Sequence, residues 1–364
     1  MRRSPRAVAV VIAAAIAALT LLGCTNGVTG GEERDPTTAK IGLLLPDSVT
    51  ARYDAADRPY FEARVAELCP GCQVLYGNAD GDTAKQQQQA ESMLTQGVSV
   101  LVLDPYDGRA AASIVGLATS RGVPVIAYDR LIHSPDLAYY ISFDNELVGR
   151  LQAQALIDRL EELGITPDDG GILMVNGSPT DNNASQFKAG AHAVIDASDY
   201  EVLAEFDTPG WDPAKAQDWV AAQLTRFGSR IVGVYAANDP TAGGAIASLK
   251  AAGIGPLPPV TGQDAELAGL QRILAGDQYM TVYKALRPQA ERAAELAIEL
   301  VNGRTPAAQV EIDVEGARIP SVLLEPVAVT RAQIGTIVIA DGFFTLTQLC
   351  TGDYAARCAE AGLS

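Results

Sequence analysis

From residue 40 onward the chain alternates short, continuously apolar runs with longer helical stretches, joined by brief connections. Apolar strands of this kind, separated by helices, mean parallel sheets covered on both faces. The first series reads as strand 41–45, helix 54–68, strand 73–76, helix 82–96 capped by Asp82 and stopped at Gly97, strand 98–103, helix 110–120 and strand 123–128. A second series follows: helix 146–163, strand 172–175, helix 183–197, strand 201–206, helix 213–227, strand 231–235, helix 241–252 and strand 260–261. The remainder, with a helix at 288–301 and strands near Val322 and Ile337, must complete both sheets and so cross between them several times. The expected fold is α/β: two similar doubly wound parallel-sheet lobes joined by a multi-crossover hinge. A chain of 364 residues is too long for one ordinary core, which agrees with two lobes. Residues 40–143 plus about 284–322 form the expected N-terminal lobe, 144–283 plus about 323–350 the C-terminal lobe, and 351–364 a tail. Hinged lobes close around a ligand.

The formal charge is −17, and removing residues 1–23, whose only charges are Arg2, Arg3 and Arg6, leaves −20. Nucleic acid and anionic membrane surfaces both demand a basic patch, so neither is an expected partner. Residues 7–22 are almost wholly apolar, but 16 residues fall short of the roughly 20 that span a bilayer. With the basic start and Leu21-Leu22-Gly23-Cys24 at the end, residues 1–23 read as a signal peptide. The Leu-Leu-Gly-Cys ending resembles a bacterial lipobox, which implies that Cys24 is lipidated and holds the protein to the outer face of the cytoplasmic membrane. Residues 25–39 lack periodicity and read as a flexible tether.

Export permits disulfides. Four cysteines remain in two close pairs, Cys69 with Cys72 and Cys350 with Cys358, and two local disulfides are expected. A redox motif would need its first cysteine at a helix N-terminus, whereas Cys69 follows a helix. A structural zinc held by all four would have to bridge a 278-residue gap.

Polar residues gather where strands end, and in open α/β sheets that is where ligands sit. The run Val123-Pro124-Val125-Ile126-Ala127 delivers Tyr128, Asp129 and Arg130; Asp47, Arg52 and Tyr53 follow the first strand; Asp104 and Tyr106 follow the third. In the second half Asn176, Asp181, Asn182 and Asn183, then Trp211, Asn238-Asp239, Gln263-Asp264 and Lys284 repeat the arrangement. The list suits a polyhydroxylated ring. Carboxylates and amide oxygens accept from its hydroxyls, Arg, Lys and amide nitrogens donate to them, and an aromatic ring covers the C–H face. Several of these residues also have local readings. Asn182 or Asn183 suits a helix cap, Asp239 suits the cap of the helix after Pro240, and Trp211 suits ordinary core. His133 and His192 read as surface residues, and the glutamines of 85–89 as a solvated helix face.

Taken together, Thr50-Ala51-Arg52-Tyr53, Tyr128-Asp129-Arg130, residues 140–146 (YISFDNE), Gly177-Ser178-Pro179, Asp181-Asn182-Asn183-Ala184, Gly210-Trp211, Asn238-Asp239, Gly262-Gln263-Asp264-Ala265 and Thr281-Val282-Tyr283-Lys284 carry a resemblance. In this order, across nearly the whole mature chain, they resemble the D-xylose-binding proteins of bacterial ATP-driven (ABC) sugar importers. The resemblance implies a type I periplasmic-binding-protein fold with three crossovers. It implies sugar contacts from Arg52, Asp129, Arg130, Asn183, Trp211, Asn238, Asp264 and Lys284, with Tyr53 as a second stacking ring. It also implies a monomer that presents a monosaccharide to an ABC permease and its ATPase, with no catalytic residue, cofactor or metal.

The family carries tryptophan where this chain has Tyr53 and alanine where it has Pro240. A smaller ring alters the stacking surface, which leaves open a broad-specificity aldose receptor for glucose, galactose or arabinose, serving a permease or a membrane sensor. A glycosidase would pair Asp129 with Asp264 across a glycosidic bond. A sugar-responsive transcription regulator would need a DNA-binding headpiece, where this chain has an export signal.

Overall fold

The computed structural model describes residues 35–363. The expected signal peptide, the lipidation site Cys24 and the start of the tether lie outside them. Among the described residues the strands are β1 (Lys40–Leu45), β2 (Gln73–Asn78), β3 (Val100–Leu103), β4 (Val125–Tyr128), β5 (Tyr139–Phe143), β6 (Gly171–Asn176), β7 (Glu201–Asp207), β8 (Ile231–Ala236), β9 (Met280–Tyr283), β10 (Val310–Val314), β11 (Ala317–Leu324) and β12 (Val327–Thr330).

One sheet has seven strands in the order β10-β11-β5-β4-β3-β1-β2, all neighbours parallel except the β10–β11 hairpin. The other is built on β7-β6-β8, all parallel, and is continued by single bridges, Val234 with Val260 and Gln263 with Val282, to β9 and its antiparallel partner β12. The chain therefore passes between the sheets after β5, after β9 and again after β11. Two doubly wound lobes with a triple-stranded hinge are the result.

Alternation along each strand feeds both faces. In the first sheet Leu44, Leu101, Leu103 and Val125 enter one core, while Ile41, Leu43, Val100, Val102 and Ile126 enter the opposite one. The second sheet does the same, with Ile172 and Met174 on one side and Leu173 and Val175 on the other. Burial on both faces explains why these strands read as unbroken apolar runs.

Four local expectations change. Residues around Ile337 are helical (Ile334–Ile339), because Ile334 and Val338, four apart, both face the core formed by Leu270, Ile273 and Leu349. The tail 351–364 contains a helix, Tyr354–Glu360, packed into that same cluster through Cys358. The end of the tether is ordered: Asp35 caps a short turn, Pro36–Thr38, and a Cβ at Gly71 would lie 2.3 Å from the Thr37 carbonyl oxygen. The glutamine run is only partly solvated. Gln86 is buried, and its side chain donates to the Asp104 carbonyl at 2.8 Å and accepts from Tyr106 N at 3.0 Å, pinning the turn that follows β3.

Both local disulfides are present, Cys69 with Cys72 and Cys350 with Cys358, with Cα–Cα separations of 5.3 and 5.8 Å. The two pairs belong to different cores, so they do not meet around a shared metal. Among the described residues no helix is long and apolar enough to cross a membrane.

Candidate functional site

The strand ends converge on a small cavity between the lobes. It is lined by all nine residues singled out in the sequence: Arg52, Tyr53, Asp129, Arg130, Asn183, Trp211, Asn238, Asp264 and Lys284. Thr50, Asp181, Phe187 and Gln263 complete the wall. No lining residue is more than 4% exposed, so a small molecule in this cavity would be out of contact with bulk water.

On the N-terminal lobe, β4 ends at Tyr128 and the chain turns sharply. Asp129 takes a left-handed backbone conformation (φ 57°), and its N–H still donates to Ile141 O at 2.8 Å. A non-glycine residue held there is sustained by its surroundings. Arg52, at the start of the helical turn after β1, donates to Asp57 through Nε (2.8 Å) and Nη2 (2.7 Å), to Asp129 through Nη1 (3.0 Å) and to Gln289 through Nη2 (2.8 Å). Tyr128 hydroxyl also bonds Asp57. Arg130 donates to the Tyr53 hydroxyl at 2.9 Å and to Asp47 at 3.3 Å, and its Nε lies 2.9 Å from Asp181 of the other lobe. Burial alone would raise the Asp129 carboxyl, but Arg52, Lys284, Gln289 and Arg130 outweigh it and hold the group well below the usual carboxylate range. Asp104 moves the other way. Burial and the neighbouring Asp129 push it well up, because five buried carboxylates (Asp47, Asp57, Asp104, Asp129, Asp181) share Arg52 and Arg130.

On the C-terminal lobe the wall is mostly neutral. Asp181, not Asn182 or Asn183, caps the helix Asn182–Ile195 by accepting from Asn183 N at 2.9 Å. That frees the Asn183 side chain, whose Nδ2 reaches across the cleft to Asp129 O at 3.0 Å. Asn182 does not line the cavity. Trp211 (φ 57°) is buried, donates from Nε1 to Asp181 Oδ2 at 3.1 Å and meets Phe187 edge-on at 6.3 Å. A Cβ at Gly177 would lie 2.0 Å from the Trp211 ring, which is why the turn after β6 starts with glycine. Asn238, not Asp239, caps the helix Asp239–Ala251: its Oδ1 accepts from Thr241 N at 3.0 Å, leaving the amide nitrogen to the cavity. Asp239 is instead a buried organiser, accepting from Gln278 Nε2 at 2.6 Å, Glu266 N at 2.8 Å and Thr281 Oγ1 at 3.2 Å. Asp264 (φ 89°) lies 3.0 Å from Lys284 Nζ, which sits over the rings of Phe143 and Phe187 at 5.6 and 5.7 Å. Asn183 Oδ1 and Gln263 Oε1 are buried without a hydrogen-bond partner among the described residues.

Sequence reasoning did not reach Phe187, Asp57 and Gln289. Phe187 follows Asn183 by four, which places both on one face of a helix. Gln289 is a polar residue on the buried face of the helix Leu286–Val301, between Leu286 and Ala293. Each signal is visible only once the neighbouring position is known to face the cleft.

Asp129 and Asp264 do not form a glycosidase pair: the Asp129 carboxyl stays ionised beside Arg52, and Asp264 lies against Lys284. A family model, the periplasmic binding protein domain, matches residues 41–305. The chain belongs to the periplasmic binding protein family. It is 39% identical to the D-xylose-binding periplasmic protein of Escherichia coli (strain K12), over 90% of this chain and 97% of that one. It is 33% identical to the multiple sugar-binding periplasmic receptor ChvE of Rhizobium radiobacter, over 85% and 92%. Among solved structures, an ABC transporter solute binding protein from Clostridium phytofermentans with bound β-D-glucose superposes with a TM-score of 0.78 at 29% identity, covering 85% of this chain and 99% of that one. These relatives are solute-binding proteins, and this member of the family is an extracytoplasmic binding protein, not an enzyme.

Proposed function

We propose that this chain is the sugar-binding lipoprotein of an ABC importer and that it holds one D-xylose molecule in the interlobe cavity. The observation that carries this reading is the lining of the cavity: a sealed space between the lobes on which carboxylate, guanidinium, ammonium and amide groups converge beside the Trp211 ring. Arg52, Asp129, Arg130, Asn183, Asn238, Asp264 and Lys284 are the proposed hydroxyl partners, with Trp211 and Tyr53 against the ring faces. Because the wall is sealed, the sugar enters an opened form, and its contacts to both lobes favour closure. The closed monomer then docks on its permease, whose ATPase drives transport, while a lipid on Cys24 keeps the protein at the membrane. The similarity to the xylose-binding relative over nearly the full length supports the choice of sugar.

A second reading is a broad-specificity aldose receptor, favoured by the similarity to the multiple-sugar receptor and to the glucose-bound structure. Calorimetric titration of the soluble domain lacking Cys24 against D-xylose, glucose, galactose, arabinose and ribose separates the two. One-to-one binding dominated by xylose is the expected result. Comparable affinities for several aldoses would favour the second reading, and binding of none would overturn both.

A further inference from the structure

Gln289 is fully buried on the helix Leu286–Val301, which begins just after the hinge residue Lys284. A primary amide in a core position is costly unless its groups are matched. Here they are matched to two residues of the cavity wall: Oε1 accepts from Arg52 Nη2 at 2.8 Å, and Nε2 donates to Asp129 Oδ1 at 3.1 Å. Asp129 Oδ1 also accepts from Arg52 Nη1 at 3.0 Å, so the donors aimed at Asp129 fall on the same oxygen. Arg52 has five N–H groups. Four are engaged, by Asp57 twice, by Gln289 and by Asp129, which leaves one hydrogen on Nη1. Among the described residues this pair therefore keeps one free acceptor, Asp129 Oδ2, beside one free donor on Arg52.

We propose that Gln289 is a positioning residue for recognition at this site, and the proposal rests on the sugar-binding reading above. By holding Oδ1 and Nη2 it fixes the planes of the Asp129 carboxylate and the Arg52 guanidinium, and so the direction in which their free acceptor and free donor point. A neighbouring acceptor and donor meet a hydroxyl that both donates and accepts, and they do so from one direction only, which selects one configuration at that carbon. The terminal torsion of an aspartate is broad and roughly two-fold. Without the amide clamp the carboxylate plane tilts away from this orientation within its broad torsional well, the free lone pairs no longer point in one direction, and an epimer finds nearly as good a partner.

The test is titration of wild type, Gln289→Met and Gln289→Glu with the aldose panel, alongside thermal unfolding of each ligand-free protein. Methionine keeps the length and removes both hydrogen bonds. Its expected effect is a loss of roughly tenfold or more for the preferred sugar, the scale of a buried charge-assisted hydrogen bond, and a smaller loss for its epimers, so that the preference ratio collapses toward one. Glutamate keeps the acceptor for Arg52 but sets a second carboxylate against Asp129. The Gln289→Glu protein should regain discrimination as pH falls and a carboxyl proton replaces the missing donor. A preference ratio unchanged in both variants, or equal losses for every sugar in step with a fall in melting temperature, would make Gln289 merely structural and overturn the proposal. Should Gln289→Met fail to fold, the acid-side recovery of Gln289→Glu decides alone, and a flat ratio with pH there overturns it. Wild-type protein that binds none of the sugars would overturn the underlying reading, and the proposal with it.

Discussion

The two walls of the cavity are built on different principles. On the N-terminal lobe, Arg52 and Arg130 are bound to Asp57, Asp129, Asp47, Tyr53 and Gln289 before any ligand is considered. On the C-terminal lobe, Asn183 Oδ1 and Gln263 Oε1 are buried with nothing to accept from among the described residues, and Trp211 offers a ring fixed by its Nε1 bond to Asp181. One wall is a platform whose charges are largely paired among themselves; the other is mostly neutral, with buried amide oxygens unmet among the described residues. A ligand that reaches the first wall meets groups already held in place, and one that reaches the second supplies partners its amide oxygens lack among the described residues. Orientation should thus come from the N-terminal lobe, and the free energy that favours closure from the C-terminal lobe.

Arg130→Ala tests the platform and has the largest expected effect. Arg130 is the shared counter-ion of Asp47, Asp104 and Asp181. Removing one partner from a buried ionic network costs about 3–5 kcal/mol, because the remaining charges are left unmatched. Denaturant unfolding of the ligand-free variant should show that loss, together with abolished sugar binding. A ligand-free stability within about 1 kcal/mol of wild type would mean that the wall is not a structural unit, and the contrast between the lobes would fail.

Gln263→Leu probes the opposite wall, with the opposite pattern. Its Oε1 has no partner to lose, so a leucine of similar size should leave ligand-free stability unchanged or slightly raised. Affinity should fall by about 10- to 100-fold, the cost of one buried hydrogen bond left unmade. Calorimetry and unfolding on the same sample read both quantities. A variant that loses stability but keeps affinity would place Gln263 in the scaffold.

The two-sheet fold and the residues that line the cavity were legible in the sequence for one reason: continuous apolar strands announce a two-faced parallel sheet, and polar residues at their ends announce a cleft. Helix caps were less legible. Asp181 against Asn182, and Asn238 against Asp239, differ by one residue, and which of each pair caps depends on where the first helical turn starts. The run at 334–339 misled because apolar composition alone does not separate a strand from a short helix packed at a spacing of four. Gln86 and Gln289 were illegible for a deeper reason. Their burial is set by distant chain segments, at Asp104 and at Arg52, which no local pattern brings near.

The smallest expected effect lies at the rim, where Glu266 of the C-terminal lobe accepts from Ala51 N of the N-terminal lobe at 3.3 Å. Burial first, then the neighbouring Asp239 and Asp264, push the Glu266 carboxyl up to about 8, and burial carries Asp239 up to about 7. Parting the lobes would admit water and lower the Glu266 carboxyl toward its ordinary range, while Asp239 and Asp264, on the same lobe, keep part of the shift. The closed form therefore binds more protons than the open form between that range and about 8. Stability of closure is fully present at the acid end of that window and is lost as pH rises through it. Sugar affinity should fall by roughly three- to tenfold between about pH 5 and pH 8, well short of the linkage limit, because solvent at the half-buried rim screens the charges. Glu266→Gln stays neutral throughout and should flatten most of that slope while matching wild type near pH 5. If the variant keeps the full wild-type slope, the proton is taken up elsewhere, with the buried Asp239 as the next position to neutralise. If wild type shows no slope at all, the rim contact contributes nothing to closure, and the unmet groups deeper in the C-terminal wall carry it alone.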